Sequence, residues 1–198
     1  MTQLILASSS PRRQQLLTSI GVAYRVVKPN INESPRPNEK PMNYVRRLSL
    51  EKAGAAAVYV DGDEAVLAAD TVVILSADTI GVTSEGEILG KPADADEARV
   101  MLQRLRGRPH QVSTAFTLLR RQKLPITQIV TTTVYMRPYT DAEIDSYIAT
   151  GDPFDKAGSY AIQHEGFHPV ERIDGSYSNV VGLPLDEVKA ALLQVGLM

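Results

Sequence analysis

Ser8-Ser9-Ser10-Pro11-Arg12-Arg13 sets two guanidinium groups behind three hydroxyls and a proline, a grouping suited to holding phosphate. Ser10 is a preferred helix N-cap and Pro11 suits the first helical position, so both arginines fall in a first helical turn. There the free backbone N–H groups and the macrodipole already supply positive charge, and each added cation is disfavoured by roughly 0.3–1 kcal/mol. A bound anion reverses that sign, and the hydroxyls, the N–H groups and the forks of Arg12 and Arg13 then form a phosphate cradle. The same residues also fit a capped surface helix with two solvated arginines.

Three further residues could do chemistry. Asp70 lies within AVLAADTVVIL, 65–75, a run apolar and β-branched enough for a central strand. A carboxylate there is costly unless paired, hydrogen-bonded or metal-bound, so Asp70 is either a structural ion-pair partner or a functional group facing a cleft. Lys52 projects from the apolar stripe of a helix predicted from Met42 to about Val58, either as a snorkelling stem or as a charge aimed into a cleft. Glu33 sits in a polar, proline-bearing loop, 28–41, where it is a solvated loop residue or a site carboxylate. Gly90-Lys91-Pro92 is no Walker A motif, since no Ser or Thr follows the lysine. His164 and His168 are four apart, but Gly166 and Pro169 deny them the shared helical face that paired metal ligands need.

The elements that must position these groups follow from periodicity and punctuation. A buried strand over 4–7 leads into the first helix, which Gly21 closes, and a strand over 24–27 precedes the 28–41 loop. An elongated hairpin or a mobile flap spans 76–90. Asp94 to Glu97 and Thr140 to Glu143 cap two helices ended by Gly107 and Gly151. Strands over 111–119 and 128–136 pair through a basic turn. Residues 151–163 form a turn-rich segment running into a short strand, followed by a strand at 170–173, a polar loop at 175–182 and a final helix at 183–197. No internal repeat or linker is expected, and the chain reads as one domain over 1–198.

Composition narrows the function classes. With 198 residues, 43% of them hydrophobic, the chain can bury a sizeable core. No run approaches the ~18 apolar residues of a membrane span and the N-terminus lacks a signal-peptide pattern, so a cytoplasmic location without membrane partners is expected. The absence of cysteine rules out thiolate metal sites and favours a hard ion such as magnesium. Residues 1–52 carry nine Lys/Arg against three acidic residues within a net charge of −2. That local basicity suits a small polyanion better than a nucleic-acid polymer.

Taken together, LASSSPRRQQLL at 6–17, SLEKA at 49–53, AADTVV at 68–73, GKP at 90–92, DKAGSYAIQ at 155–163 and GSYSNVVGLPL at 175–185 resemble the Maf family of nucleoside triphosphate pyrophosphatases. The resemblance implies an inosine-triphosphatase-like α/β fold, a mixed sheet flanked by helices with two lobes around a cleft. It implies hydrolysis of a nucleoside triphosphate to monophosphate and pyrophosphate, with Asp70 as proton acceptor and Arg12, Thr71 and Gln163 linked to substrate choice. Tyr160-Ala161-Ile162-Gln163 resembles the branch preferring dTTP and UTP; the alternatives are 7-methyl-GTP and a non-catalytic, nucleotide-binding regulator of cell division. The chain departs from the family at 164–168 and in a hairpin over 76–89 that is longer than usual. On this reading Arg12, Arg13, Lys52 and Lys91 neutralise the triphosphate and Ser8 helps to bind it, while Glu33 and Asp70 hold Mg2+, or Mn2+, and orient the attacking water. Homodimers are usual for similar proteins.

Overall fold

The structure, a computed structural model, describes residues 2–58, 71–120 and 123–198. Strand β1 (Thr2–Leu6) leads into α1 (Pro11–Ser19), then come β2 (Tyr24–Val26), α2 (Pro41–Val58), β3 (Thr71–Val82) and β4 (Ile88–Leu89). Helix α3 (Ala95–Leu105), strands β5 (Pro109–Arg120) and β6 (Ile126–Met136), and α4 (Asp141–Ile148) follow, before β7 (Val170–Asp174), α5 (Tyr177–Val181) and α6 (Leu185–Gln194). The sheet runs β2-β1-β3-β5-β6-β7, with β4 added to β3. β1 is parallel to β2 and β3, whereas β4 is antiparallel to β3 and β7 to β6. The sheet is therefore mixed and flanked by helices, as expected for the fold class. Among the described residues no helix is long and apolar enough to cross a membrane.

The chain divides into two compact units, one of Met1–Asp78, Thr114–Val130 and Gly182–Met198, the other of Thr79–Ser113 and Thr131–Val181. In the first, the two faces of β1 and β3 separate two apolar clusters with the period of a strand. Leu4, Leu6, Val73, Leu75 and Ala77 pack with Leu17, Val188, Ala191 and Leu192. Ile5, Ala7 and Ile74 pack instead with Ala53 and Ala56 of α2. Both faces are covered, which explains why Leu4 to Ala7 is uniformly apolar rather than alternating. Helix α2 buries Val45, Leu48, Ser49, Lys52, Ala53 and Ala56, an i, i+3, i+4, i+7 stripe that contains the lysine.

The second unit has its own core around Leu102, Leu105, Val134, Met136, Tyr139, Ile144 and Tyr147. Both capping predictions are met. Asp94 accepts from the Glu97 N–H at 2.9 Å, although the Glu97 carboxylate takes the Ala93 N–H rather than closing a box on Asp94, and Thr140 with Glu143 completes a reciprocal box. Three expectations need correction. The first arm of the 76–90 hairpin is continuous with β3, which turns back only at 83–87; Ser76 to Val82 are almost all buried, like Val73 to Leu75 before them. Residues 160–163 are coil and turn rather than a short strand. The 175–182 loop contains the helix α5.

That helix is pinned by buried polar groups. Thr132 Oγ1 donates to the Ser176 carbonyl at 3.1 Å and accepts from the Ser176 N–H and from Asn179 Nδ2, both at 3.0 Å. Asn179 Nδ2 also donates to the Val112 carbonyl at 3.0 Å. Gly175 makes the close approach possible: its φ is +124° and a Cβ there would stand 2.9 Å from Thr132 Oγ1. Gly175→Ala should therefore lower the unfolding free energy by about 2 kcal/mol through backbone strain and the clash. Urea denaturation checks this; an unchanged midpoint would contradict the packing described.

Candidate active site

At the end of β1 the chain turns through Ala7, whose N–H still bonds the Leu75 carbonyl at 2.7 Å, into the serines. Ser10 occupies the N-cap position of α1 and Pro11 the first helical position, but the Ser10 side chain makes no capping bond. Ser8 orders the turn instead. Its buried Oγ accepts from the Ser10 N–H at 3.2 Å and from Arg13 Nη1 at 3.3 Å. Arg13 Nε donates to the Gly182 carbonyl at 2.8 Å, so the fork is oriented from two sides. Burial lowers the guanidinium pKa, and the negative charges of Asp78 and Glu33 push it back up; a guanidinium remains charged throughout. Arg12 is partly exposed in the same first turn.

Helix α2 and β3 bring the remaining charges to this unit. Every second residue of β3 meets α2: Ile74 packs on Ala53 and Ala56, Ser76 Oγ donates to the Ser49 carbonyl at 2.6 Å, and Asp78 meets Lys52. Ser49 in turn bonds Thr117, and Thr117 bonds Thr127, at 2.7 and 2.9 Å, which satisfies the hydroxyls buried beneath the helix. Lys52, 7% exposed, places Nζ 2.6 Å from Asp78 Oδ1 and 3.2 Å from Glu33 Oε1. A buried ammonium demands such partners. Of the two open readings for Lys52, the charge is directed inward rather than snorkelling to water.

Ser8, Arg13, Lys52 and Glu33 thus lie in one unit. Asp70 lies outside the described residues. Thr71 opens β3 opposite Thr2, and its side chain also lies outside what is described. Asp78 has no predicted role, because the sequence places it in the 76–90 hairpin or flap rather than on a central strand. A signal for it existed: Ala-Asp-Thr occurs at 69–71 and again at 77–79, a short repeat inside a chain expected to have none.

Lys91 and Gln163 belong to the second unit, and both are exposed. The Gly90 carbonyl accepts from the Gly158 N–H at 3.0 Å, fastening the Gly-Lys-Pro segment to Ala157-Gly158-Ser159. Lys156 is buried and fully committed, donating to Asp152 Oδ1 at 2.7 Å, the Asp152 carbonyl at 2.5 Å and Asp155 Oδ1 at 2.6 Å. Asp152 Oδ2 also accepts from the Tyr147 hydroxyl at 2.7 Å, and that hydroxyl accepts from the Ala161 N–H at 3.1 Å. This chain of bonds fixes the backbone two residues before Gln163. His164 Nδ1 accepts from the Gly166 and Phe167 N–H groups at 3.1 and 2.8 Å, a turn-forming role. Among the described residues no three His, Asp or Glu side chains cluster as metal ligands.

His110, 2% exposed, contacts the Tyr160 hydroxyl through Nε2 at 2.9 Å and is edge-on to the Tyr160 ring. Burial pushes its pKa down to about 4. The unfolded imidazole titrates near 6.5, so the unfolded state binds the proton first. Stability present above about pH 6.5 should be lost as the pH falls towards 4, at about 1.4 kcal/mol per pH unit in that window. Denaturant unfolding at pH 7.5 and 5.0 checks this: His110→Asn should flatten the acid loss, and parallel curves for the two proteins would refute the assignment.

A family model described as "Maf-like protein" matches residues 3–195. A dTTP/UTP pyrophosphatase of Citrifermentans bemidjiense is 47% identical over 196 residues, covering 98% of this chain and 96% of that protein. One of Desulfotalea psychrophila is 47% identical over 191 residues, covering 96% and 93%, and one of Geobacter sulfurreducens 44% over 195, covering 98% and 97%. A solved nucleoside-triphosphatase / dITP/XTP pyrophosphatase from Mycobacterium abscessus aligns with a TM-score of 0.49 at 13% identity, covering 98% of this chain and 96% of that one.

Proposed function

The chain belongs to the Maf family, and from that premise we propose that it is a nucleoside triphosphate pyrophosphatase hydrolysing dTTP and UTP to the monophosphate and pyrophosphate. One catalytic domain would span 1–198. Action in the cytoplasm as a homodimer is part of the same proposal. The observation that carries the reading is Lys52 held between Asp78 and Glu33 in the unit that also holds Ser8 and Arg13 at a helix start.

Asp78 is the carboxylate we assign as proton acceptor. Water adds to phosphorus, its proton passes to the Asp78 carboxylate, and the bond to the pyrophosphate oxygen breaks with its electrons leaving on that oxygen. Arg12 and Arg13, with the N–H groups of the α1 start, take the phosphate charge. Lys91 adds a further cation for the charge growing on pyrophosphate. Asp70, with Thr71, is the rival assignment. Taking the motif at the second Ala-Asp-Thr shortens the interval to Gly90-Lys91-Pro92 by eight residues. That removes the overlong hairpin from the departures.

The donor set fits a hard divalent ion. Glu33 and Asp78 offer carboxylate oxygens to a common point, now taken by the Lys52 ammonium. So few protein ligands suit Mg2+, or Mn2+, which keeps several waters and shares substrate phosphates. When bound, such an ion lowers the pKa of the attacking water and neutralises phosphate charge. Glu33 and Asp78 would hold it, and Lys52 would then be released from their charges to face the triphosphate.

Asp78→Asn should cut kcat for UTP by at least ~100-fold, on the scale of a lost general base, while Asp70→Asn stays within a few-fold of wild type. Pyrophosphate release by the two folded variants measures it. The reverse pattern would return the role to Asp70.

Base choice cannot come from phosphate charge, which all nucleoside triphosphates share. The Gln163 amide offers a donor and an acceptor to the edge common to uracil and thymine, and cytosine presents the reverse pattern. Gln163→Ala should narrow the kcat/KM ratio of UTP to CTP by about tenfold or more. An unchanged preference order, or a wild type favouring 7-methyl-GTP, would refute this specificity.

A further inference from the structure

Glu33 lies on a segment with no helix or strand, between β2 and α2, and its side chain is 56% exposed. An ion pair so open to water is too weak to hold a loop in place by itself. The backbone around Glu33 must therefore be held by something else, and that support comes from one face of α2. The Tyr44 hydroxyl donates to the Glu33 carbonyl at 2.8 Å. Arg47 Nη2 donates to the next carbonyl, that of Ser34, at 3.2 Å. Two successive carbonyls are thus tied to residues one turn apart on the helix that carries Lys52.

Arg47 is itself fixed. Nε and Nη2 bind the two Glu39 oxygens, each at 2.7 Å, in a fork-to-fork pair. Nη1 donates to Glu51 Oε2 at 3.1 Å, and Glu51 Oε1 takes Arg36 Nη2 at 2.9 Å. The Arg36 N–H closes the loop back on Glu39 Oε2 at 3.0 Å. With Arg47 12% and Glu39 9% exposed, this is a nearly buried pair on an otherwise polar surface loop. Every nitrogen of the guanidinium is used, so a lysine could not reproduce the arrangement.

We propose that Arg47 is a positioning residue for catalysis: clamped by Glu39, it holds the Glu33 backbone so that the Glu33 carboxylate meets Lys52 and Asp78. It touches none of the reacting atoms. The proposal rests on the pyrophosphatase reading for its kinetic consequence, but the clamp is a property of the folded chain and can be read without turnover.

The test is a double-mutant cycle with a proteolytic readout. Arg47→Met should lower kcat/KM for UTP by about 10–100-fold, the scale of a misplaced catalytic group. In a Glu33→Gln background it should lower it by less than about 3-fold, because Arg47 acts through Glu33. Equal losses in both backgrounds, or none, would overturn the proposal. Cleavage of the free protein after Glu33 by a glutamyl endopeptidase should be at least ~10-fold faster in Arg47→Met than in wild type, with the Tm within a few degrees, since local opening governs cleavage. An unchanged cleavage rate would overturn the clamp even if the wild type hydrolysed no nucleotide, an outcome that would by itself refute only the pyrophosphatase reading. Should Arg47→Met fail to fold, Glu39→Gln breaks the same fork from the loop side and carries the same expectations.

Discussion

The ammonium of Lys52 has given up its water inside the first unit, and the surrounding structure supplies the compensating charge. Desolvating a cation costs several kcal/mol unless partners replace the solvent, and here Asp78 and Glu33 do so at 2.6 and 3.2 Å. The three residues come from a helix, a strand and a loop. Fixing all three at once requires β3 to run through Asp78 without breaking, α2 to lie along β3, and the loop to be anchored. Each requirement is visible as a specific contact. Removing any one partner would leave a buried or half-buried charge uncompensated.

Two periodicities make the meeting possible. A strand returns to the same face every second residue and a helix roughly every three or four, so Ile74, Ser76 and Asp78 can each meet a position on the buried stripe of α2. The succession is apolar, hydroxyl, carboxylate, from core to site. It moves from dispersion contact to hydrogen bond to ion pair, and the hydroxyls of Ser49, Thr117 and Thr127 keep the polar steps satisfied. The second unit solves a related problem differently. Its buried lysine, Lys156, spends its hydrogen bonds on neighbouring residues of its own segment. It is a staple for the turns that precede Gln163, whereas Lys52 is held by groups distant in sequence.

Much of this was open to reading from the chain alone. The order of strands and helices, the caps at Asp94 and Thr140, the helix start behind three serines and the buried stripe of α2 follow from local chemistry, because caps, glycines and periodicity act over a few residues. The family was legible because several separated motifs occur in one order, and the full-length relatives agree. Composition, without cysteine, also confined any metal site to oxygen or histidine ligands.

What the sequence could not decide was which charges meet. Two Ala-Asp-Thr tripeptides look alike as strings, and only the pairing of β3 with α2 shows that Asp78 lies against Lys52. Likewise, Arg47 and Glu39 resemble solvated surface charges until the loop folds back and their forks align. The sequence predicts only a loop at 177–181, because the helix there takes its stability from Thr132 and Val112 rather than from its own five residues. Local propensity is a property of neighbours along the chain. Ion pairing, burial and the satisfaction of buried polar groups depend on residues from eight to dozens of positions apart brought together by the fold, so only tertiary packing determines them.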